Sequence, residues 1–402
     1  MRPSSTVWCG IPALYGADRP SDQRPLPTIP NPFVYSQPVR PEELIDRDAE
    51  ARKLVELAEG GHASRLSAPR RYGKTSLLYR VKLDAEKLGM ACVYVDFSRA
   101  ISIADVAITI EQAYRSSLQG PLRRTAVALL RALNPRVRMA PGGVGVDLEP
   151  RLEGDATRTL GDLLDLPVGL HQRSGHRTLV IFDEFQELLG AGDRLDGLVR
   201  SRIQHHGDVA SYLYAGSHPG LMRALFADRE RPLYGQAQPV ALAPLADADL
   251  ADHVDGRFEM TGRDAGSALE PVLDVARGHP QRAMMLAHHL WERTSPGQPA
   301  GAEEFGEALD ATRNEARDAL QAAWNALDRS ERAVLAALAA NEAPLFSERT
   351  LAHFGLAKTT GRDARARLLE RGILHEIGER VAIADPLLAD FAAHRIPGVV
   401  EG

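Results

Sequence analysis

Residues 68–76 read Ala-Pro-Arg-Arg-Tyr-Gly-Lys-Thr-Ser, and no other stretch of this 402-residue chain constrains the fold as much. They open a helical pattern, with Leu77, Leu78, Val81 and Leu88 at helical spacing and Gly89 as a stop. A loop wrapped around a triphosphate needs this order of residue types. Several backbone N–H groups must turn inward, one long cation must reach the anion, and a hydroxyl must be at hand for Mg²⁺. Gly73, Lys74 and Thr75 meet these needs in turn, and the positive N-terminal end of the following helix points the same way. The expected nucleotide contacts are Ala68, Pro69, Arg70, Arg71, Tyr72, Gly73, Lys74, Thr75 and Ser76. Ala68 stands where a first glycine is usual, which is tolerable if its φ is negative. Taken alone, the motif also suits an ordinary capped helix.

A second motif weighs against that plainer reading. Residues 178–182, Thr-Leu-Val-Ile-Phe, form a short apolar, β-branched run of the kind buried in a parallel sheet, and the run ends in Asp183 and Glu184. Carboxylates at the C-terminal end of such a strand face the ligand crevice. Asp183 with Thr75 would then hold Mg²⁺, and Glu184 would polarise the water that attacks the γ-phosphate. The same pair could also cap a helix over 185–189. A further strand, 211–216, ends in Ser217, which either contacts the γ-phosphate or the attacking water, or belongs to a simple Ser-His-Pro-Gly turn.

Alternation of strand and helix from residue 46 onward predicts a parallel α/β sheet. A helix opens near Asp46 and ends at Gly60, with strands over 64–68 and 92–97 and helices between 101 and 133. Residues 136–147 carry the alternation and Pro-Gly-Gly turn of a hairpin. Residues 1–31, rich in Pro, Ser and Arg, read as a flexible leader. Cys9 and Cys92 cannot make a disulfide framework or metal cluster. No apolar run approaches the length of a membrane span, which places the chain in the cytoplasm with no membrane partner. A net charge of −6 argues against nucleic-acid binding over the whole surface. The pairs His205/His206 and His288/His289 lack metal-ligand spacing and read as surface or semi-buried residues.

From residue 327 the pattern predicts a winged helix. Asp328 and Glu331 form a capping box, short helices span 346–353 and 359–371, a hairpin covers 372–383, and Asp385-Pro386 starts a last helix. Its third helix carries Lys358, Arg362, Arg365, Arg367 and Arg371, spread around the helix and offset by Asp363 and Glu370. DNA binding through phosphates and docking to an unknown protein partner both remain open for this module.

Together with Asn31-Pro-Phe33, Pro232-Leu-Tyr-Gly235, Gly278-His-Pro280 and Ile383-Ala-Asp-Pro386, these motifs make the chain resemble the archaeal-type P-loop ATPases of the AAA+/STAND superfamily. The resemblance implies an α/β P-loop core over residues 32–242, a helical lid over 243–325 and a winged helix domain over 326–397. It places His279 and Pro280 near the nucleotide and Arg47 at the adenine entrance, the alternative for Arg47 being a solvated helix residue. Where the family carries an arginine after the Pro-Leu-Tyr-Gly segment this chain has Gln236, so turnover would be slow. Arg229, Arg231 and Arg282 could substitute, or be plain surface residues. The expected ligands are ATP and Mg²⁺, in a nucleotide switch that repositions the winged helix. The alternatives are a DNA-binding regulator with structural ATP and a ring of identical subunits working on DNA or protein.

Overall fold

The computed structural model describes residues 30–133, 153–340, 344–377 and 380–395. The expected leader, up to residue 29, and the expected hairpin over 136–147 lie outside them. A five-stranded parallel sheet forms the centre, in the order β2-β3-β4-β1-β5, from β1 (Ser64–Ser67), β2 (Ala91–Asp96), β3 (Thr178–Asp183), β4 (Ala210–Gly216) and β5 (Gln238–Ala241). β3 and β4 are buried at every position, because helices cover both faces of the sheet. That is why they read as unbroken apolar runs. β5, at the edge beside β1, is mostly exposed and carries Pro239, so no apolar pattern announces it.

Successive side chains of a strand point to opposite faces, and the two cores of the sheet follow that rule. Leu179 and Ile181 pack with Leu66, Leu77, Leu78 and Val81 under the helices Asp48–Glu59 and Lys74–Lys87. Val180 and Phe182 pack on the other side with Ile110, Leu160 and Val199, from the helices Ile103–Ser117, Glu153–Leu164 and Leu195–Ile203.

A lid follows, built from the helices Asp247–Met260, Leu269–Ala276 and Pro280–Arg293 around Leu250, Val254, Phe258 and Leu286. The segment after residue 30, assigned by sequence to the start of the core, packs here instead. The Phe33 ring lies 5.4 Å from that of Phe258, and the Asn31 side chain donates to the His288 carbonyl. The long helix Ala302–Asn325 then serves two cores, with Ala308 in the lid and Ala316 and Leu320 in the last domain.

That last domain has the helix order read from the sequence: Arg329–Ala340, Glu348–His353 and Lys358–Glu370, the antiparallel hairpin β6 (Leu374–Ile377) and β7 (Arg380–Ile383), and Pro386–Ala393. Its capping box closes both ways, Glu331 N–H donating to Asp328 at 2.8 Å and Asp328 N–H to Glu331 at 3.0 Å. Among the described residues no helix is long and apolar enough to cross a membrane.

Candidate functional site

β4 lies between β3 and β1, so the loop after β1, the acidic end of β3 and Ser217 after β4 converge at the C-terminal edge of three adjacent strands. Gly73, with φ +83°, caps the helix Lys74–Lys87, and Arg71 is also left-handed at φ +67°. Ala68 is buried, is not among the positive-φ residues, and donates its N–H to the Gly216 carbonyl, so the missing first glycine causes no backbone strain. Pro69 is buried, while Arg70 and Arg71 are exposed. Ser76 is turned away, its hydroxyl accepting from the Val39 N–H at 3.1 Å.

Lys74 bridges the carboxylates, pairing with Asp183 and donating to Glu184 at 2.9 Å. The Thr75 hydroxyl donates to the other oxygen of Asp183 at 3.3 Å. Two hard oxygens side by side, with a cation already against one of them, fit Mg²⁺. Glu184, with φ +50°, accepts from Ser217 Oγ at 2.7 Å and from the Gln186 amide at 2.6 Å. Burial alone would raise its pKa, but the charge of Lys74 and the donors Gln186, Ser217 and Lys74 outweigh it and hold the group at about 2. Ser217 is therefore in the site, with its hydroxyl committed to Glu184.

Sequence reasoning missed Tyr94, whose hydroxyl donates to Asp183 at 2.7 Å. Burial and then the charge of Asp183 push that hydroxyl far above its usual range. No local sequence signal marks it, since its role depends on β3 lying beside β2.

No family model and no curated protein matches the chain. Solved structures do. The Walker-type ATPase PABY2304 of Pyrococcus abyssi superimposes with a TM-score of 0.61 over 90% of this chain and 99% of that one, at 19% identity. The ORC2 protein of Aeropyrum pernix, solved in ADPNP-ADP complexes, gives a TM-score of 0.55 over 92% and 97%, at 17% identity. The fold is that of the archaeal P-loop ATPases.

Within this ATPase fold, the lid and winged helix close directly over the phosphate loop. Tyr72, buried in the loop, meets the His279 ring at 4.8 Å and the His375 ring of the wing at 5.9 Å, and its hydroxyl donates to the Ala384 carbonyl at 3.4 Å. His279 caps the helix Pro280–Arg293 by accepting from the Arg282 N–H, and burial lowers its pKa to about 4. Pro280 is the first residue of that helix. Arg282 is a correction to the surface reading. It is buried and grips both oxygens of Asp385, at 2.9 and 2.5 Å, tying lid to winged helix. Gly220 and Gly372 permit the docking: a Cβ at Gly220 would run into the Glu370 backbone, and one at Gly372 would lie 3.0 Å from Pro219.

Arg47 is buried, not solvated. It pairs with Glu50 and donates at 2.8 Å to the Ala243 carbonyl, at the passage from core to lid. Gln236 is exposed and precedes Gln238, which pairs with Ser64 at the start of β1, whereas the phosphate loop follows Ser67. A strand advances about 3.3 Å per residue, so residue 236 sits at the opposite edge of the sheet from the loop after Ser67. Arg231 contacts Asp196 at 3.4 Å, and Arg229 is exposed. His206 is a correction too, being buried and bonded to the Tyr212 hydroxyl at 2.6 Å. On the third winged-helix segment, Arg367 and Arg371 pair with Asp328 and Glu331, and Arg365 lies 3.6 Å from Glu376.

Proposed function

We propose that this chain is a Mg²⁺·ATP-binding and hydrolysing switch, in which the triphosphate lifts the winged helix off the phosphate loop toward a partner. The carrying observation is the seat of that domain: Tyr72, a loop residue, is covered by both the wing and the lid. A nucleotide entering the loop must contend with these contacts, so it binds the open arrangement better and shifts the population toward it.

Lys74 would leave the carboxylates for the β- and γ-phosphates, Thr75 and Asp183 would hold Mg²⁺, and Glu184 would receive the proton of the attacking water. Ser217 holds Glu184 and would sense the γ-phosphate from there. Mg²⁺ supplies charge neutralisation of the phosphate oxygens. The DNA-regulator reading gains nothing from the third helix, since three of its five cations are engaged within the domain. Equilibrium binding of ATP and ADP, followed by phosphate release, tests the proposal: micromolar binding that requires Lys74 supports it, and absence of nucleotide binding overturns it.

A further inference from the structure

The two oxygens of Glu184 have different surroundings. Among the described residues, Oε1 accepts only from Lys74 Nζ, at 2.9 Å. Oε2 accepts from the Ser217 hydroxyl at 2.7 Å, the Ser217 N–H at 3.3 Å and the Gln186 amide at 2.6 Å. An ionised carboxylate has about four lone-pair sites and no proton to give. Oε2 is thus saturated by groups fixed in the fold, while Oε1 is held by a long, mobile cation that a triphosphate competes for.

Gln186 is built into its place. The left-handed Glu184 starts the 3-10 turn Phe185–Glu187, which folds Gln186 back toward the carboxylate. Its side chain is 2% exposed, and a Cβ on Gly216 would collide with its Oε1. The amide nitrogen faces Glu184, Glu187 Oε1 at 3.2 Å and His218 Nδ1 at 3.4 Å. Carboxylates cannot donate, so the NH₂ and not the carbonyl must face them. The ligand atoms of Glu184, Glu187 and His218 lie within 4.8 Å of one another, a spacing that would also suit a cation, but the two protons of the Gln186 amide already serve the two carboxylates.

We propose that Gln186 is a positioning residue for hydrolysis: with Ser217 it anchors Oε2 of Glu184, which makes Oε1 the oxygen that receives the water proton. This assignment rests on the ATPase reading above. In the step, the water oxygen bonds to the γ-phosphorus as its bond to the bridging oxygen breaks. ADP departs with that electron pair, and the water proton goes to Oε1 and on to solvent.

Gln186→Met keeps the volume and removes the donor. We expect kcat to fall at least tenfold, with KM, equilibrium ATP affinity and melting temperature nearly unchanged, because a misplaced base affects the transition state and not ground-state binding. In a Glu184→Gln background the same change should cost nothing further. If Gln186→Met does not fold, Gln186→Asn, whose amide stops one methylene short, is measured in its place. If the parent and Glu184→Gln release phosphate equally fast, the ATPase reading falls and this assignment with it. If those two differ, while Gln186→Met turns over like the parent, loses ATP affinity, or still costs tenfold in the Glu184→Gln background, only the role of Gln186 is overturned.

Discussion

Lys74 and Glu184 have separable tasks, and two substitutions tell them apart. Glu184→Gln should keep ATP affinity and nearly abolish phosphate release, since only proton transfer is lost. Lys74→Met should weaken ATP binding at least tenfold and also lower the melting temperature of the free protein. Its partner Asp183 is buried and would be left without its counter-charge, a loss of about 3 kcal/mol. Isothermal titration and a melting curve read both. Gln236 calls for a different expectation from the one its sequence suggests. Gln236→Arg should leave turnover unchanged in dilute protein, because the side chain starts at the wrong edge of its own sheet. A gain that grows with protein concentration would mean that the arginine acts on a second copy. Legibility in the sequence follows from how local each residue's role is. Gly73, Lys74, Thr75 and Asp183 announce themselves because their chemistry is tied to one loop and one strand end. Tyr94 and Gln186 do not, because their roles depend on which strand is the neighbour and on a left-handed turn at Glu184.

The lid helix Pro280–Arg293 and the last helix Pro386–Ala393 meet through Arg282 and Asp385. Asp385→Asn keeps the N-cap that accepts from the Leu387 N–H but removes the charge, leaving Arg282 buried and unpaired. Limited proteolysis at the lid–winged-helix junction should quicken, and ATP affinity should rise several-fold because less of the closed state must be displaced. The first turn of the lid helix also titrates. His279 accepts at Nδ1 from the Arg282 N–H, and burial holds its pKa at about 4, below the ordinary imidazole value near 6.5. The unfolded chain therefore takes up this proton first, and stability present above pH 6.5 is lost as pH falls through 4, by up to about 3 kcal/mol. His279→Asn, which still caps, should flatten the melting-temperature profile over that window. A parent and variant with parallel profiles would exclude His279 as the titrating group. At this scale the sequence is most legible in the winged helix, where Asp328, Glu331, Gly372 and Asp385 mark starts and turns. It is least legible in β5, whose edge position removes the apolar pattern.

The approach of the lid at His279 was legible through its motif, but the contacts of the winged helix with the core were not. Nothing in the periodicity of residues 372–385 says that they rest on Tyr72 and Pro219, since such contacts join positions about 300 and 150 residues apart that share no local pattern. Yet they carry the central claim, that a nucleotide at the loop and the winged helix on the loop compete. Amide hydrogen exchange of the wing and of the helix Pro219–Ala227, with and without Mg²⁺ and a non-hydrolysable ATP analogue, tests it most directly. The account predicts faster exchange in both segments when the analogue binds, and no change in Lys74→Met. Unchanged or slower exchange in the parent at saturating analogue would contradict it.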